Sequence, residues 1–215
     1  MSSLQAAIDE YNATKKVKMP AEVLDLMART TAELKDTGIE NRALGTGDRM
    51  PDFTLPNQHG EMRRIADFLA DSPVVLNIYR GGWCPYCNFE MKALADLLPE
   101  IKGAGAQLVG MAPEDPDHAL DTANRHEIDI EILSDTGNAV SEQMGLVFSL
   151  AEELRPIYLG AGLDIPAYNG DDSFRLPVPA TYIVGTDGII KADFVNADYT
   201  RRMEPAEIVA LLQEG

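Results

Sequence analysis

The only two cysteines of this chain lie three positions apart, directly after an apolar run that predicts a buried strand. The run covers residues 74–79, and Cys84 and Cys87 follow it with Pro85 between them. Pro85 suits the first position of a helix, which makes Cys84 the expected N-cap residue. A strand, a Cys-x-x-Cys turn and a helix in succession are typical of a thiol–disulfide redox centre. The junction therefore indicates an α/β fold with both sulfurs at the end of a strand.

The start of a helix favours the ionised form of a thiol. Unpaired backbone N–H groups and the positive end of the helix dipole would lower the pKa of Cys84 below about 8.5, and Arg80 is close enough in sequence to add to this effect. Cys87 belongs to an apolar helix face with Met91, Leu94, Leu98 and Ile101. The position of each cysteine in the helix therefore predicts that Cys84 is exposed and attacks, and that Cys87 is buried.

Two other interpretations of the cysteine pair are an inert buried pair and a zinc site. Free cysteines are often inert core residues, but two at this spacing beside a strand end are hard to ascribe to packing. A structural zinc site needs four ligands, and His59, His118 and His126 are not spaced as pairs. No metal and no organic cofactor are therefore expected.

Composition limits the partners and the compartment. The 215 residues carry a formal net charge of -17, which opposes binding to nucleic acid or to an anionic membrane. The N-terminus resembles no secretory signal, and no apolar run is long enough to span a bilayer. We therefore expect a cytoplasmic protein, since a free cysteine pair stays reduced in the cytosol.

Residues 1–44 are predicted to form a helical N-terminal arm. A second helix would begin near Pro20 and end near Gly38. The apolar residues of the two helices recur at helical spacing: Leu4, Ile8 and Tyr11, then Leu24, Met27 and Leu34. The arm could cap the core or pair with a second subunit, so a homodimer is a further prediction.

Residues 45–215 alternate between strand and helix patterns, which predicts one α/β domain with a mixed sheet. The Asp187-Gly188 turn predicts a late hairpin, and residues 149–177 are expected to form a long irregular loop. The expected strands are residues 52–55, 74–79, 107–112, 130–133, 180–184 and 189–195, and the expected helices are residues 85–101, 115–126, 138–144 and 204–213.

The strand, the Trp83-Cys84-Pro85-Tyr86-Cys87 turn and the later Pro179-Ala180-Thr181-Tyr182 segment resemble the thioredoxin fold. The resemblance implies that Pro179 is a cis-proline packed against the cysteine pair. Other segments resemble peroxiredoxins of the alkyl hydroperoxide reductase and thiol-specific antioxidant (AhpC/TSA) superfamily: residues 50–56, 79–87, 133–146, 169–173, 182–190 and 199–202. This implies a peroxiredoxin-type three-layer sandwich with a mixed central sheet and an N-terminal helical extension.

Aligned with peroxiredoxins, the chain keeps one reactive cysteine and departs from the pattern around it. Cys87 takes the peroxide-reactive position, Cys84 replaces the usual threonine and Arg80 replaces the usual proline. The late arginine of the family falls at Pro179, with Arg175 slightly upstream. The alignment thus favours Cys87 as the attacking sulfur, while the helix end and thioredoxin analogy favour Cys84, and both stay open.

The resemblance implies a thiol-dependent peroxidase that forms a Cys84–Cys87 disulfide and is recycled by a thioredoxin- or glutaredoxin-like donor. Alternatives are a thiol–disulfide oxidoreductase and a redox-sensing interaction protein. Arg80 and Arg175 could stabilise a thiolate or orient a peroxide, although a salt-bridge role is equally expected. Trp83 and Tyr86 would surround the pair. Tyr199, Arg201 and Arg202 also match the family, and an exposed helix start is expected there.

Overall fold

The computed structural model describes residues 3–214. Its strands are β1 (Thr54–Pro56), β2 (Met62–Arg64), β3 (Val74–Ile78), β4 (Gln107–Ala112), β5 (Glu131–Ser134), β6 (Val147–Ser149), β7 (Arg175–Pro177), β8 (Ala180–Val184) and β9 (Ile190–Val195). Its helices are α1 (Leu4–Lys18), α2 (Ala21–Asp36), α3 (Ile39–Arg42), α4 (Ile65–Asp71), α5 (Pro85–Asp96), α6 (Leu98–Gly103), α7 (Pro116–His126), α8 (Ala139–Gln143), α9 (Arg155–Gly160), α10 (Ile165–Asn169) and α11 (Pro205–Glu214).

The central sheet has five strands in the order β5-β4-β3-β8-β9. The β3–β4 and β4–β5 pairs are parallel, whereas β3–β8 and the β8–β9 hairpin are antiparallel. All five residues of β3 are buried, as expected for the middle of a sheet covered on both faces. The predicted mixed sheet and late hairpin are therefore confirmed.

Helices cover both faces of this sheet, because successive side chains of each strand point to opposite sides. Val75 and Tyr79 pack into a core formed with α1, α5, α7 and α11. Val74 and Leu76 face a second core that contains residues of α3, α4 and α8. This is the three-layer α/β sandwich that the sequence predicted.

The single helix expected over residues 85–101 is instead two helices. Helix α5 ends at Asp96, and Leu97 leaves helical geometry with φ −103° and ψ 6° before α6 begins. Pro99 explains the break, since it lacks an N–H and its ring would clash with the carbonyl of Ala95 in a continuous helix. The two helices still share the predicted apolar face, because Met91, Leu94 and Ile101 are all buried.

The segment expected to be an irregular loop, residues 149–177, contains regular structure. Helices α9 and α10 lie within it, and β7 at its end pairs with β6 in a two-stranded antiparallel sheet. Each helix has proline in its first turn, at Pro156 and Pro166, where the missing N–H costs nothing. The prediction of a wholly irregular loop is therefore wrong, and two of its prolines start helices.

The N-terminal arm packs against its own chain. Leu4 and Ile8 of α1 are buried in the core cluster that contains the cysteines. The backbone N–H groups of Leu4 and Gln5 donate to the Glu204 carboxylate at 3.0 and 2.8 Å, which places an anion at the start of α1. Helix α2 is held less firmly, since none of its residues is fully buried.

Among residues 3–214, every helix is too short or too polar to cross a lipid bilayer.

Candidate active site

The loop between β3 and α5 is held in one conformation by its surroundings. The Gly82 N–H donates to the Glu114 carboxylate at 2.6 Å, and the Gly82 carbonyl accepts from Arg125 and Asn88 at 2.8 and 2.9 Å. A Cβ at Gly82 would overlap the Thr122 hydroxyl, so glycine is required for this close approach to α7. The backbone of the loop that leads into Cys84 is therefore held in place by α7 and Glu114.

Cys84 is the N-cap residue of α5 and Pro85 lies in the first turn, as predicted. The expectation that Cys84 is exposed is wrong, because Cys84 is 1% exposed and Cys87 is 0% exposed. The two sulfurs nevertheless differ in access. Cys84 lines a cavity of roughly 100 Å³, whereas Cys87 is absent from its lining. A small molecule in this cavity would therefore contact Cys84 and not Cys87.

The cavity is mostly apolar, and the N-terminal arm builds one wall of it. The arm contributes Tyr11, Lys15, Met19 and Met27, and the remaining lining comes from Arg80, Trp83, Cys84, Pro85, Tyr86, Ile157, Tyr158, Ala161, Leu163 and Tyr199. Tyr86 ties the wall to the arm, because its hydroxyl donates to Asn12 at 2.7 Å and its ring contacts Tyr11 edge-on. Trp83 and Tyr86 thus lie where the sequence placed them.

Arg80 is buried and lines the same cavity as Cys84, and the charges of both cysteines act on its guanidinium. Its guanidinium lies over the rings of Trp83 and Tyr199, with the central carbon 4.9 and 4.5 Å from the ring centroids. It donates to the Tyr158 hydroxyl at 3.1 Å. Such stacking stabilises a cation but leaves its charge in place. Arg80 therefore presents a positive charge to the sulfurs.

Arg202 supplies a second buried cation at the pair. It donates to the Cys87 sulfur at 3.5 Å and forms a buried ion pair with Glu90 at 2.7 Å. Its guanidinium also donates to the carbonyls of Tyr199 and Arg201, so the side chain is held from several directions. The exposed helix start predicted here is wrong for Arg202, because α11 begins only at Pro205 and the Arg202 side chain is buried.

These charges decide which sulfur ionises. Burial alone would raise the pKa of Cys84, but hydrogen bonding from Cys87 and the charges of Arg80 and Arg202 together lower it well below that of an ordinary thiol. Burial raises the pKa of Cys87, and the neighbouring Cys84 thiolate raises it further. These opposite pKa shifts favour a thiolate at Cys84 and a thiol at Cys87.

Glu114 is a buried carboxyl behind the cysteine loop. Burial raises its pKa to about 7, although the hydrogen bond from Gly82 acts in the opposite direction. One of its two oxygens has no hydrogen-bond partner. Glu114 therefore changes charge near neutral pH while it supports the loop that carries Cys84.

Two predicted site residues lie away from the cavity lining. The Arg175 guanidinium forms an ion pair with Glu142 at 2.5 Å, and Pro179 is buried between β7 and β8. The cis-proline that the thioredoxin resemblance implied is not found, because the described residues contain no cis peptide bond. Arg202 occupies the place beside a cysteine sulfur that the sequence alignment left without an arginine.

The sequence interpretation missed Glu90, Glu114 and the role of Arg202. Glu90 follows Cys87 by three positions, which places both on one face of α5, and an acid on that buried face was the available signal. No local signal joined Glu90 to Arg202, which is 112 positions away. In the part of the chain that the structure describes, no group of three or more His, Cys, Asp or Glu side chains is arranged to hold a metal ion.

Residues 46–193 match the model of the AhpC/TSA family. The chain belongs to this family. A protein from Mycobacterium tuberculosis that is named as a peroxiredoxin is 34% identical to this chain over 112 residues, which are 52% of this chain and 73% of that protein. Peroxiredoxin Bcp of Escherichia coli is 31% identical over 103 residues, covering 48% of this chain and 65% of Bcp. As a family member, the chain is an oxidoreductase of the peroxiredoxin type.

Solved structures show the same fold. Peroxidoxin BcpB from Mycobacterium tuberculosis superposes with a TM-score of 0.63 at 24% identity, covering 80% of this chain and 97% of BcpB. Reduced Prx3 of Vibrio vulnificus, in complex with hydrogen peroxide, gives a TM-score of 0.62 at 18% identity over 79% of this chain. The family match begins after the N-terminal arm and ends before Arg202, so both lie outside the matched residues.

Proposed function

We propose that this AhpC/TSA protein is a thiol peroxidase in which Cys84 attacks the hydroperoxide and Cys87 resolves the product. The observation that carries the proposal is that Cys84 lines the cavity as a thiolate beside the Arg80 guanidinium, while Cys87 lies behind it as a thiol. A buried thiolate facing a small apolar cavity is suited to a small electrophile.

The reaction follows from this arrangement of protons. The Cys84 thiolate attacks the terminal oxygen of the hydroperoxide, the O–O bond breaks, and the released alkoxide takes up a proton to become the alcohol. Cys84 is then a sulfenic acid. The Cys87 sulfur attacks the Cys84 sulfur, the S–O bond breaks, and the leaving hydroxide takes the Cys87 proton to form water. Both cations remain beside the sulfurs throughout, where they stabilise negative charge.

The cycle ends when two thiols reduce the Cys84–Cys87 disulfide. Peroxiredoxins draw these electrons from thioredoxin-like proteins, and we propose a thioredoxin- or glutaredoxin-like donor here. Because both sulfurs are buried, the donor thiolate must enter through the cavity wall. The loosely held α2 contributes Met27 to that wall, which makes this helix the part of the wall best able to move.

The same burial weighs against a disulfide as the first substrate. A thiol–disulfide oxidoreductase presents its attacking sulfur to a partner's disulfide, whereas Cys84 is covered by aromatic side chains and by the arm. A hydroperoxide group is small enough to enter a cavity of roughly 100 Å³. The peroxidase therefore accounts for the geometry better than a disulfide reductase does.

Trp83 is the only tryptophan of the chain and provides the test. Reduced wild-type protein, Cys84→Ser and Cys87→Ser are mixed with hydrogen peroxide or cumene hydroperoxide in a stopped-flow fluorimeter. We expect a second-order rate far above that of free cysteine in the wild type and in Cys87→Ser, with a dimedone adduct on Cys84. Cys84→Ser should lose the reaction. A wild-type rate no faster than free cysteine would overturn the proposal, and loss only in Cys87→Ser would reassign the attacking sulfur.

Three further proposals concern the whole molecule. Residues 1–44 would act as a cap on the domain formed by residues 45–215, which is supported by the burial of Leu4 and Ile8. A homodimer is supported by the exposed apolar side chains Val17 and Leu159, and light scattering of the purified protein would test it. A cytoplasmic location would be tested by cell fractionation.

A further inference from the structure

Arg80 is a buried cation without a carboxylate partner. It is 2% exposed, and the ion pairs found among residues 3–214 do not include it. Its one side-chain hydrogen bond is with the neutral Tyr158 hydroxyl, and its Nε has no partner. Arg202, in contrast, has Glu90 as its own carboxylate at 2.7 Å. Among the described residues whose charges act on Arg80, the Cys84 thiolate is therefore the anion that compensates it.

The charge of this buried cluster therefore depends on the oxidation state of the sulfurs. With the pair reduced, the cluster of Arg80, Arg202, Glu90 and Cys84 contains two positive and two negative charges. With the Cys84–Cys87 disulfide formed, the thiolate charge is gone and Arg80 remains buried beside neutral groups. A buried unpaired charge costs several kcal/mol as a general rule. Oxidation therefore places a penalty on the folded protein that reduction relieves.

We propose that the Cys84–Cys87 disulfide is a strong oxidant of low-molecular-weight thiols, and that Arg80 makes it so. A disulfide whose reduced form is stabilised has a high reduction potential. The small cavity admits the thiol of a slender molecule directly, whereas a protein donor needs the movement of the α2 wall described above. This inference rests on the proposed function in one respect: a hydroperoxide is taken as the oxidant that forms the disulfide.

The exchange itself is balanced in atoms and electrons. A thiolate RS⁻ attacks the Cys84 sulfur, the Cys84–Cys87 bond breaks, and the Cys87 sulfur leaves and takes a proton. A second RS⁻ attacks the substrate sulfur of the mixed disulfide and releases the Cys84 thiolate beside Arg80. Two thiols are oxidised to RSSR and the protein disulfide is reduced by two electrons. A hydroperoxide then restores the disulfide and leaves an alcohol and water.

The first test is equilibrium with mixtures of reduced and oxidised glutathione, without peroxide, read by mass spectrometry after acid quenching. We expect the wild-type disulfide to be reduced in mixtures that leave an ordinary structural disulfide oxidised. Arg80→Met should shift the equilibrium at least tenfold toward the disulfide, which corresponds to about 30 mV, and Arg80→Lys should restore most of the difference. Arg155→Met is the matched control, because Arg155 also lies over an aromatic ring, that of Phe174, but outside the cavity lining.

The second test uses the wild type alone and so does not depend on a variant that folds. Urea unfolding should show that the reduced protein is more stable than the disulfide form, the reverse of the usual effect of a cross-link. A disulfide form that is the more stable of the two, or an Arg80→Met equilibrium equal to that of the wild type, would overturn the proposal. Neither result involves peroxide, so the peroxidase proposal would stand or fall separately.

Discussion

The buried Arg202–Glu90 ion pair gives the sharpest prediction for stability. Its atoms are 2.7 Å apart and both side chains are at least 97% covered. Arg202→Met leaves the Glu90 carboxylate buried without a cation, and breaking such a pair from one side costs about 3–5 kcal/mol. The loss of hydrogen bonds to the carbonyls of Tyr199 and Arg201 adds to this cost.

The double variant separates the unpaired charge from the lost packing. Glu90→Met with Arg202→Met removes both charges and keeps similar volume, so it should be less destabilised than Arg202→Met alone, with a coupling free energy of at least about 2 kcal/mol. Urea unfolding at pH 7, followed by Trp83 fluorescence and circular dichroism, measures all four proteins. The penalty of Arg202→Met should shrink as the pH falls, because burial already raises the pKa of Glu90 and a protonated Glu90 needs no cation.

A surface pair provides the comparison. Lys191 and Asp187 are also 2.7 Å apart, but both side chains are about half exposed. Lys191→Met should change the free energy of unfolding very little, since water screens such pairs. The reasoning about the buried pair is refuted if the free-energy losses of Glu90→Met and Arg202→Met sum to the loss of the double variant. It is also refuted if Arg202→Met destabilises the protein no more than Lys191→Met.

Three other predictions follow from the site. Iodoacetamide should alkylate Cys84 with a midpoint well below pH 8.5, and Cys87→Ala should move that midpoint upward because it removes the hydrogen bond to the thiolate; an unchanged midpoint would contradict the charge assignment. Glu114 binds its proton more tightly when folded, so its contribution to stability falls as the pH rises from about 4.5 to about 7. In urea unfolding, Glu114→Gln should reduce the loss of stability between these two pH values by up to about 3 kcal/mol. A pH profile identical to that of the wild type would contradict the raised pKa of Glu114. Ile8→Ala should cost about 2–4 kcal/mol in the same assay, whereas Val17→Ala, on the exposed side of α1, should be neutral; equal effects would show that the arm does not cap its own core.

The fold was largely predictable because local patterns and global architecture agree along most of the chain. The apolar run before Cys84 became the central strand β3, and the Asp187-Gly188 turn became the hairpin. The helix over residues 85–101 was predicted without its break, because the apolar periodicity continues through Pro99 even though the backbone hydrogen bonding cannot. Residues 149–177 were predicted to be an irregular loop, but Pro156 and Pro166 begin the short helices α9 and α10 there.

The candidate site was only half predictable. The position of Cys84 at the start of α5 follows from local sequence, and so does the burial of Cys87. The positive charge beside the cysteine pair could not be predicted from local sequence, because Arg202, which donates to the Cys87 sulfur, is 115 positions away. Nothing local indicates such a contact, and the alignment directed attention to Pro179 instead. The burial of Cys84 was missed for the same reason, since the residues that cover it come from the arm and from α9.

The placement of the family match has a consequence for how reactivity can change during evolution. Residues 46–193 contain both sulfurs, yet the cation at Cys87 and the arm side of the cavity are contributed by the two ends of the chain. A fragment trimmed to the matched region would keep the Cys-x-x-Cys motif but open Cys84 to bulk water and leave Glu90 without its arginine. Relatives with an identical motif can therefore differ in reactivity through substitutions at their termini, where comparison of the motif alone would not detect them.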